Sequence, residues 1–138
     1  MRLAPAPAAQ RFARARVARL ATVSAAGQPA VVPCTFVVAG EVIYTAVDHK
    51  PKSTTELARL ANIEANPGVS LVADHYDEDW SALWWARADG QARVLRDRAA
   101  MAEPLAMLAG RYAQYAASPP AGPVIAVAVT RWTGWSAS

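Results

Sequence analysis

The change of hydrophobic period within residues 41–73, EVIYTAVDHKPKSTTELARLANIEANPGVSLVA, constrains the fold more than any other stretch. Val42, Ile43, Tyr44, Thr45 and Val47 carry the β-branched and aromatic side chains of a strand, whereas Leu57, Leu60, Ala61 and Ile63 return at helical spacing. One short loop must therefore hand a strand to a helix. That loop holds His49, Lys50, Lys52, Ser53, Thr54 and Thr55, and Ser53 followed three residues later by Glu56 is a capping-box pattern that starts the helix there. First-turn amides would then face the loop beside Lys50 and Lys52, the only lysines in the chain, which makes it a candidate phosphate seat. A solvated loop whose hydroxyls simply cap a helix accounts for the same residues. No GxxxxGK[ST] or GxGxxG pattern is present, so a Walker or Rossmann explanation of the lysines fails.

At 138 residues and 54% hydrophobic content, the chain is expected to form one domain, residues 1–138, with its own core. The formal charge of +3 is uneven, because Arg2, Arg11, Arg14, Arg16 and Arg19 meet no acid before Glu41. Such a field attracts polyanions, but no zinc-finger spacing, KH-type loop or aromatic RNA-binding signature accompanies it. A solvated helical face is expected, with no nucleic-acid partner. Cys34 is alone, which rules out an intrachain disulfide and suits a reducing cytoplasm. There is no signal-peptide core and no apolar run of the roughly 18 residues that span a bilayer, so membrane insertion is not expected. His49 and His75 are the only histidines and have no ligand-spaced partner; Asp74, Asp77, Glu78 and Asp79 read as a charged turn rather than a cation site.

Taken in order, residues 7–19 permit a helix that offers Phe12, Val17 and Leu20 for packing. Alternation over 20–24 and 30–38 around Ala26 and Gly27 predicts a hairpin, and a further strand ending near Ala46 completes a three-strand meander. Pro33 cannot donate to a ladder and so marks an edge or a bulge. The helix after Ser53 should stop near Asn66, with the asparagine in a left-handed terminal position. A strand resumes over 69–72. In the next strand, Trp84 and Trp85 must point to opposite faces, one into the core and the other, with Arg87, toward an interface or ligand; Asp89 and Gly90 mark an irregularity. Residues 98–116 favour helix, and 124–129 form a last, uniformly apolar strand. Six antiparallel strand candidates with packed helices, and no crossover helices between them, predict a mainly β barrel, closed or partly closed.

Read together, LATVSAAGQPAVVPCTF, the stretch from VIYTAVDHKPKST to DHYDEDWSALWWARADGQARVL, and GPVIAVAVTRW resemble the pyridoxamine-phosphate-oxidase-like split-barrel family, in particular its F420-dependent oxidoreductase branch. The resemblance implies a six-stranded, FMN-binding-like split barrel, a homodimer with cofactor sites between subunits, and F420, or alternatively FMN, as the cofactor. It also implies hydride transfer between the deazaflavin C5 position and an unsaturated organic substrate, while the lack of a committed proton donor leaves non-enzymatic binding of a flavin-like cofactor as the other reading. On this resemblance Lys50, Lys52, Ser53 and Thr54 hold the phosphate tail, while Pro33 and Thr35 flank the ring with Ala46 and Val47 at the strand end. Trp80, Trp85 and Arg87 resemble the wall contributed by the partner subunit, and dimer packing is the other role open to the tryptophans. No catalytic residue is assigned: Tyr44 and His49 could donate a proton, but neither has a sequence-defined partner.

Overall fold

Pro5 opens the first helix, α1 (Pro5–Arg14), at a position where a missing amide is harmless because first-turn amides have no helical acceptor. Ala8 and Phe12 lie one turn apart and form its buried face. The Phe12 ring centroid is 4.8 Å from that of Phe36 and 5.2 Å from that of Trp132. The computed structural model describes residues 1–47 and 54–138, the side chains of 54–57 excepted. α1 stops short of the expected residue 19 because remote side chains take the backbone there. The carbonyl of Ala15 accepts from Arg111 Nη2, and that of Arg16 accepts from the Tyr112 hydroxyl. Strand alternation then begins at once in β1 (Ala18–Val23), with Ala18, Leu20 and Thr22 turned inward and Val17 left exposed.

β1 pairs antiparallel with β2 (Pro29–Cys34), as the hairpin pattern predicts. The remaining strands are β3 (Val37–Ala39), β4 (Val42–Ala46), β5 (Gly68–His75), β6 (Trp84–Leu95) and β7 (Val124–Ser136). Helix α2 (Thr54–Ala65) follows β4, and α3 (Arg98–Arg111) and α4 (Ala113–Ala117) follow β6. The sheet runs β2, β1, β5, β6, β7, β4, β3. It therefore has seven strands rather than the expected six, because the 30–38 run breaks at Thr35 and Phe36. The meander is corrected too, since β2 and β4 are not neighbours: β2 and β3 occupy the two opposite edges. Two residues nevertheless join those edges, and three Cα steps of 3.8 Å can span no more than about 11 Å. The sheet must roll until its edges meet at a seam that is covalent rather than hydrogen-bonded.

Pro33 sits on the edge strand, as its missing donor requires. In β6, Trp84 packs against the core while Trp85 is 37% exposed, so the alternation argument holds. The irregularity at Asp89 and Gly90 is a bulge: Asp89 pairs with Arg131 but Gly90 with Val129, leaving Thr130 as the extra residue. β7 extends well beyond residue 129, because the long β6 offers it partners as far as Ser136. Asn66 ends α2 without a left-handed backbone, since no described non-glycine residue has positive φ. Its side-chain amide instead donates to Ser24 O at 2.8 Å. No described helix is long and apolar enough to cross a membrane.

Tyr112 fastens this arrangement. Its buried hydroxyl accepts from Phe36 N–H at 3.2 Å and lies 2.9 Å from Arg16 O and 3.0 Å from Phe36 O, so it ties the seam to the start of β1. Tyr112→Phe would leave the Phe36 amide without its acceptor and should cost about 1–3 kcal/mol, read as a lower urea midpoint at unchanged slope. A midpoint equal to wild type would show that the seam does not depend on that hydroxyl.

Candidate functional site

At the seam the ladder between β3 and β4 runs out. Glu41 O accepts from Val129 N–H at 2.9 Å and Val47 N–H donates to Pro123 O at 3.0 Å, which places the odd-numbered residues of this strand toward β7. The amide and carbonyl of Ala46 consequently face the opposite way, toward Thr35. A continued ladder would pair Ala46 with Thr35. Instead the Thr35 carbonyl takes the Thr45 hydroxyl at 2.7 Å, and a cavity of about 270 Å³ opens between β2, β4, α2 and α4.

Pro33, Cys34, Thr35, Thr45, Ala46, Arg59 and Tyr115 line that cavity. Thr35 Oγ1 and Tyr115 OH lie 2.7 Å apart. Two hydroxyls carry two protons and their mutual bond uses one, so the pair keeps one O–H donor as well as free lone pairs. Arg59 is presented by α2, which is held by buried Leu60 and Ile63 and by Asn62 Nδ2 donating to Thr22 Oγ1 at 3.1 Å. The Arg59 Nε atom is buried without a hydrogen-bond partner. Burial pushes the Cys34 thiol up to about 11, against smaller lowering effects from the Thr45 hydroxyl and the Arg59 charge. Cys34 therefore stays a protonated thiol at neutral pH and is no nucleophile.

The structure brings together three of the sequence-predicted residues, Pro33, Thr35 and Ala46. Val47 is buried beside them, and its amide is already committed to Pro123, so only Ala46 keeps a backbone group turned toward the cavity. Lys50, Lys52 and Ser53 lie outside the described residues, as does His49; Thr54 is the first residue of α2. Trp85 and Arg87 line a different groove, about 690 Å³, on the outer face of β6 and β7, with Trp135 and Arg131. Arg87 Nη2 donates to Asp89 Oδ2 at 3.1 Å there. Trp80, 68% exposed in a single 3-10 turn (Trp80–Ala82), lines neither cavity. Asp79 caps that turn by accepting from the Ser81 hydroxyl at 2.7 Å and from Ser81 N–H at 3.1 Å, and these bonds, the hydroxyl's foremost, hold its carboxyl below the usual value. Tyr44 packs, half-buried, against the apolar cluster that holds Leu95, Met101, Leu108 and Val124, and does not line the cavity.

Sequence reasoning missed Arg59, Thr45 and Tyr115. Arg59 left a faint signal, a basic residue among Leu57, Leu60 and Ile63 on a helix that follows the lysine loop. Tyr115 left none, because α4 reaches the seam only through the tertiary fold.

A sheet rolled until its edges are one chain segment, with a polar cavity at that seam, has the architecture of a split barrel. The family model described as pyridoxamine 5'-phosphate oxidase matches residues 5–136, and the chain belongs to that family. No curated protein matches it. Among solved structures, a FAD-binding protein from Mesorhizobium loti is similar at 20% identity, with 97% of this chain and 95% of that one covered and a TM-score of 0.73. A FAD-binding protein from Mycobacterium smegmatis is 21% identical over 98% of this chain and 96% of that one, with a TM-score of 0.67. A heme storage protein from Vibrio cholerae is 19% identical over 97% and 95%, with a TM-score of 0.72. At these identities the likeness is one of fold.

Proposed function

We propose that this chain is an F420-dependent oxidoreductase whose cofactor ring lies in the seam cavity and whose phosphate-bearing tail runs to the start of α2. The polar lining of the cavity carries the placement: Arg59 and an amphoteric hydroxyl pair on its wall suit a heterocycle with alternating carbonyl and N–H groups. Pro33, Thr35 and Ala46 flank that ring. Lys50, Lys52, Ser53 and Thr54 hold the phosphate, by the anion preference of helix N-termini and the two lysine charges. Bound F420 would supply hydride transfer at its C5 position to an unsaturated organic substrate; the protein's part is to align the two molecules and keep water out.

A cavity of about 270 Å³ on one chain is small for a three-ring cofactor and a substrate together. A homodimer completes it in this reading, with Trp85 and Arg87, and Trp80 at the turn, forming the partner's wall. The exposure of Trp80 and Trp85 in a single chain supports that role. The resemblance of KPKST and DHYDEDWSALWW favours F420. The FAD-binding descriptions of two similar structures favour a flavin such as FMN instead, and the heme storage protein favours binding without turnover.

Titrating the purified protein with F420 and with FMN, followed by visible spectra, decides between the cofactors. F420 should bind in the micromolar range or tighter, and reduced F420 should be consumed when an acceptor is present. FMN binding without F420 binding would overturn the F420 assignment. F420 binding without turnover on any acceptor would leave a carrier rather than an enzyme. Light scattering of a dilute solution should give twice the chain mass; a concentration-independent monomer would defeat the shared wall.

A further inference from the structure

We infer that the groove along the outer face and free edge of β7 binds a planar carboxylate, with the acid end on Arg2 and Arg131 and the flat apolar body on Trp85 and Trp135. In the proposed reaction that ligand is the unsaturated substrate, and only this name for it rests on the redox reading. Backbone bonds fix where the groove lies. Gly134 O accepts from Leu3 N–H and Ser136 N–H donates to Met1 O, both at 2.9 Å, so the even-numbered residues at this end of β7 turn their amides and carbonyls away from β6. Val129 N–H, beyond the bulge, donates to Glu41 O on the same side. Between those contacts no backbone bond covers the edge among the described residues, and the N–H and C=O of Trp132 face the gap.

The two ends of the groove differ in charge. Glu41 sits at the Val129 end, whereas Arg2 bridges to Trp135, about 17–20 Å further along the strand. Trp85 and Trp135 pair directly across the two strands, so they share the outer face, and each is 37% exposed. Arg87, beside them, is already held by Asp89 at 3.0 and 3.1 Å. Arg2 and Arg131 have no ion pair among the described residues, although Asp89 is the cross-strand neighbour of Arg131. Guanidinium groups only donate, so an anionic oxygen is what completes them, and the Trp132 N–H on the open edge offers the acid a further donor. Two indole rings at the same end favour a flat body attached to that acid over a bare anion. The groove, about 690 Å³, is ample for such a ligand.

The test uses the full chain with no cofactor added and two flat probes of one shape, trans-cinnamate and trans-cinnamamide. Both are titrated by calorimetry into wild type, a variant carrying Arg2→Gln and Arg131→Gln, Trp135→Leu and Trp85→Leu. Wild type should bind the acid about tenfold tighter than the amide. Loss of both arginines should erase that preference. Trp135→Leu should weaken both probes alike, by about tenfold, and Trp85→Leu gives the same reading if position 135 does not tolerate the change. Equal affinity of wild type for acid and amide, or a preference that survives the double substitution, would overturn the inference. Acid binding untouched by both tryptophan variants would leave a bare anion site and overturn it as well. Wild type that binds neither probe overturns it too, and a lower mass by light scattering in Trp135→Leu would then assign the groove to an interface between copies. Cinnamate selectivity in a protein that binds neither F420 nor FMN would uphold the groove ligand and defeat the cofactor proposal, so the two fail separately.

Discussion

An alanine at position 90 should destabilise this protein by about 3 kcal/mol, the upper end for overpacking a buried site. A Cβ on Gly90 would stand 2.4 Å from Ala128 O, 2.9 Å from Val127 Cγ1 and 3.0 Å from Ala128 C. Two of those three atoms are backbone of β7 and cannot rotate away. Retreat of the strand is blocked on both flanks, because β7 is held by β6 from Trp84 to Leu95 and by β4 on its other side. The bulge itself is fastened by Thr130 Oγ1 donating to Asp89 O at 3.1 Å. Gly110→Ala is the matched control: nothing lies within 4 Å of its added Cβ, it sits inside α3, and it should stabilise by about 0.5–1 kcal/mol through helix propensity. Urea midpoints of the two variants should therefore move in opposite directions. A Gly90→Ala midpoint at or above wild type would mean that the long ladder yields where its geometry says it cannot.

Lys52→Ala should weaken binding of the intact, phosphate-tailed cofactor by about 10–150-fold, the equivalent of about 1.5–3 kcal/mol for a charge-assisted contact. Solvent around the ammonium would pull the effect toward the lower figure. The motive is compositional and positional: Lys50 and Lys52 are the only lysines, and they precede a helix whose first residue is Thr54. The unfolding midpoint and the mass of the proposed dimer should stay near wild type, because the substitution is directed at the ligand's phosphate rather than at an apolar packing group. Lys50→Ala should behave similarly if both charges reach the phosphate. Equal losses for intact and tail-less ligands would contradict a phosphate-specific role, and no loss for either would return Lys52 to a solvated loop.

Local periodicity alone determined much of this molecule. The switch from a strand ending at Ala46 to a helix beginning at Thr54, the β1 and β2 hairpin, the edge placement of Pro33 and the opposed faces of Trp84 and Trp85 all follow from a repeat of two or 3.6 residues and from one missing amide. The irregularity at Gly90 was legible for the same local reason, a glycine within an alternating run. Pro33, Thr35 and Ala46 were named through the family resemblance rather than through periodicity, and they do line one cavity.

Tertiary structure decided where backbone groups find their partners. The 30–38 run looks continuous because its side chains suit a strand throughout. It breaks at Phe36 because both polar groups of that residue are engaged by Tyr112, 76 positions away. The same remote anchor, with Arg111, ends α1 at Arg14 although its composition would allow a longer helix. That break sends β2 and β3 to opposite edges, rolls the sheet and leaves the seam into which α2 and α4 bring Arg59 and Tyr115. A sequence pattern records which face of an element prefers water. It does not record which distant hydroxyl or guanidinium will claim a carbonyl, and in this protein those claims place the cavity.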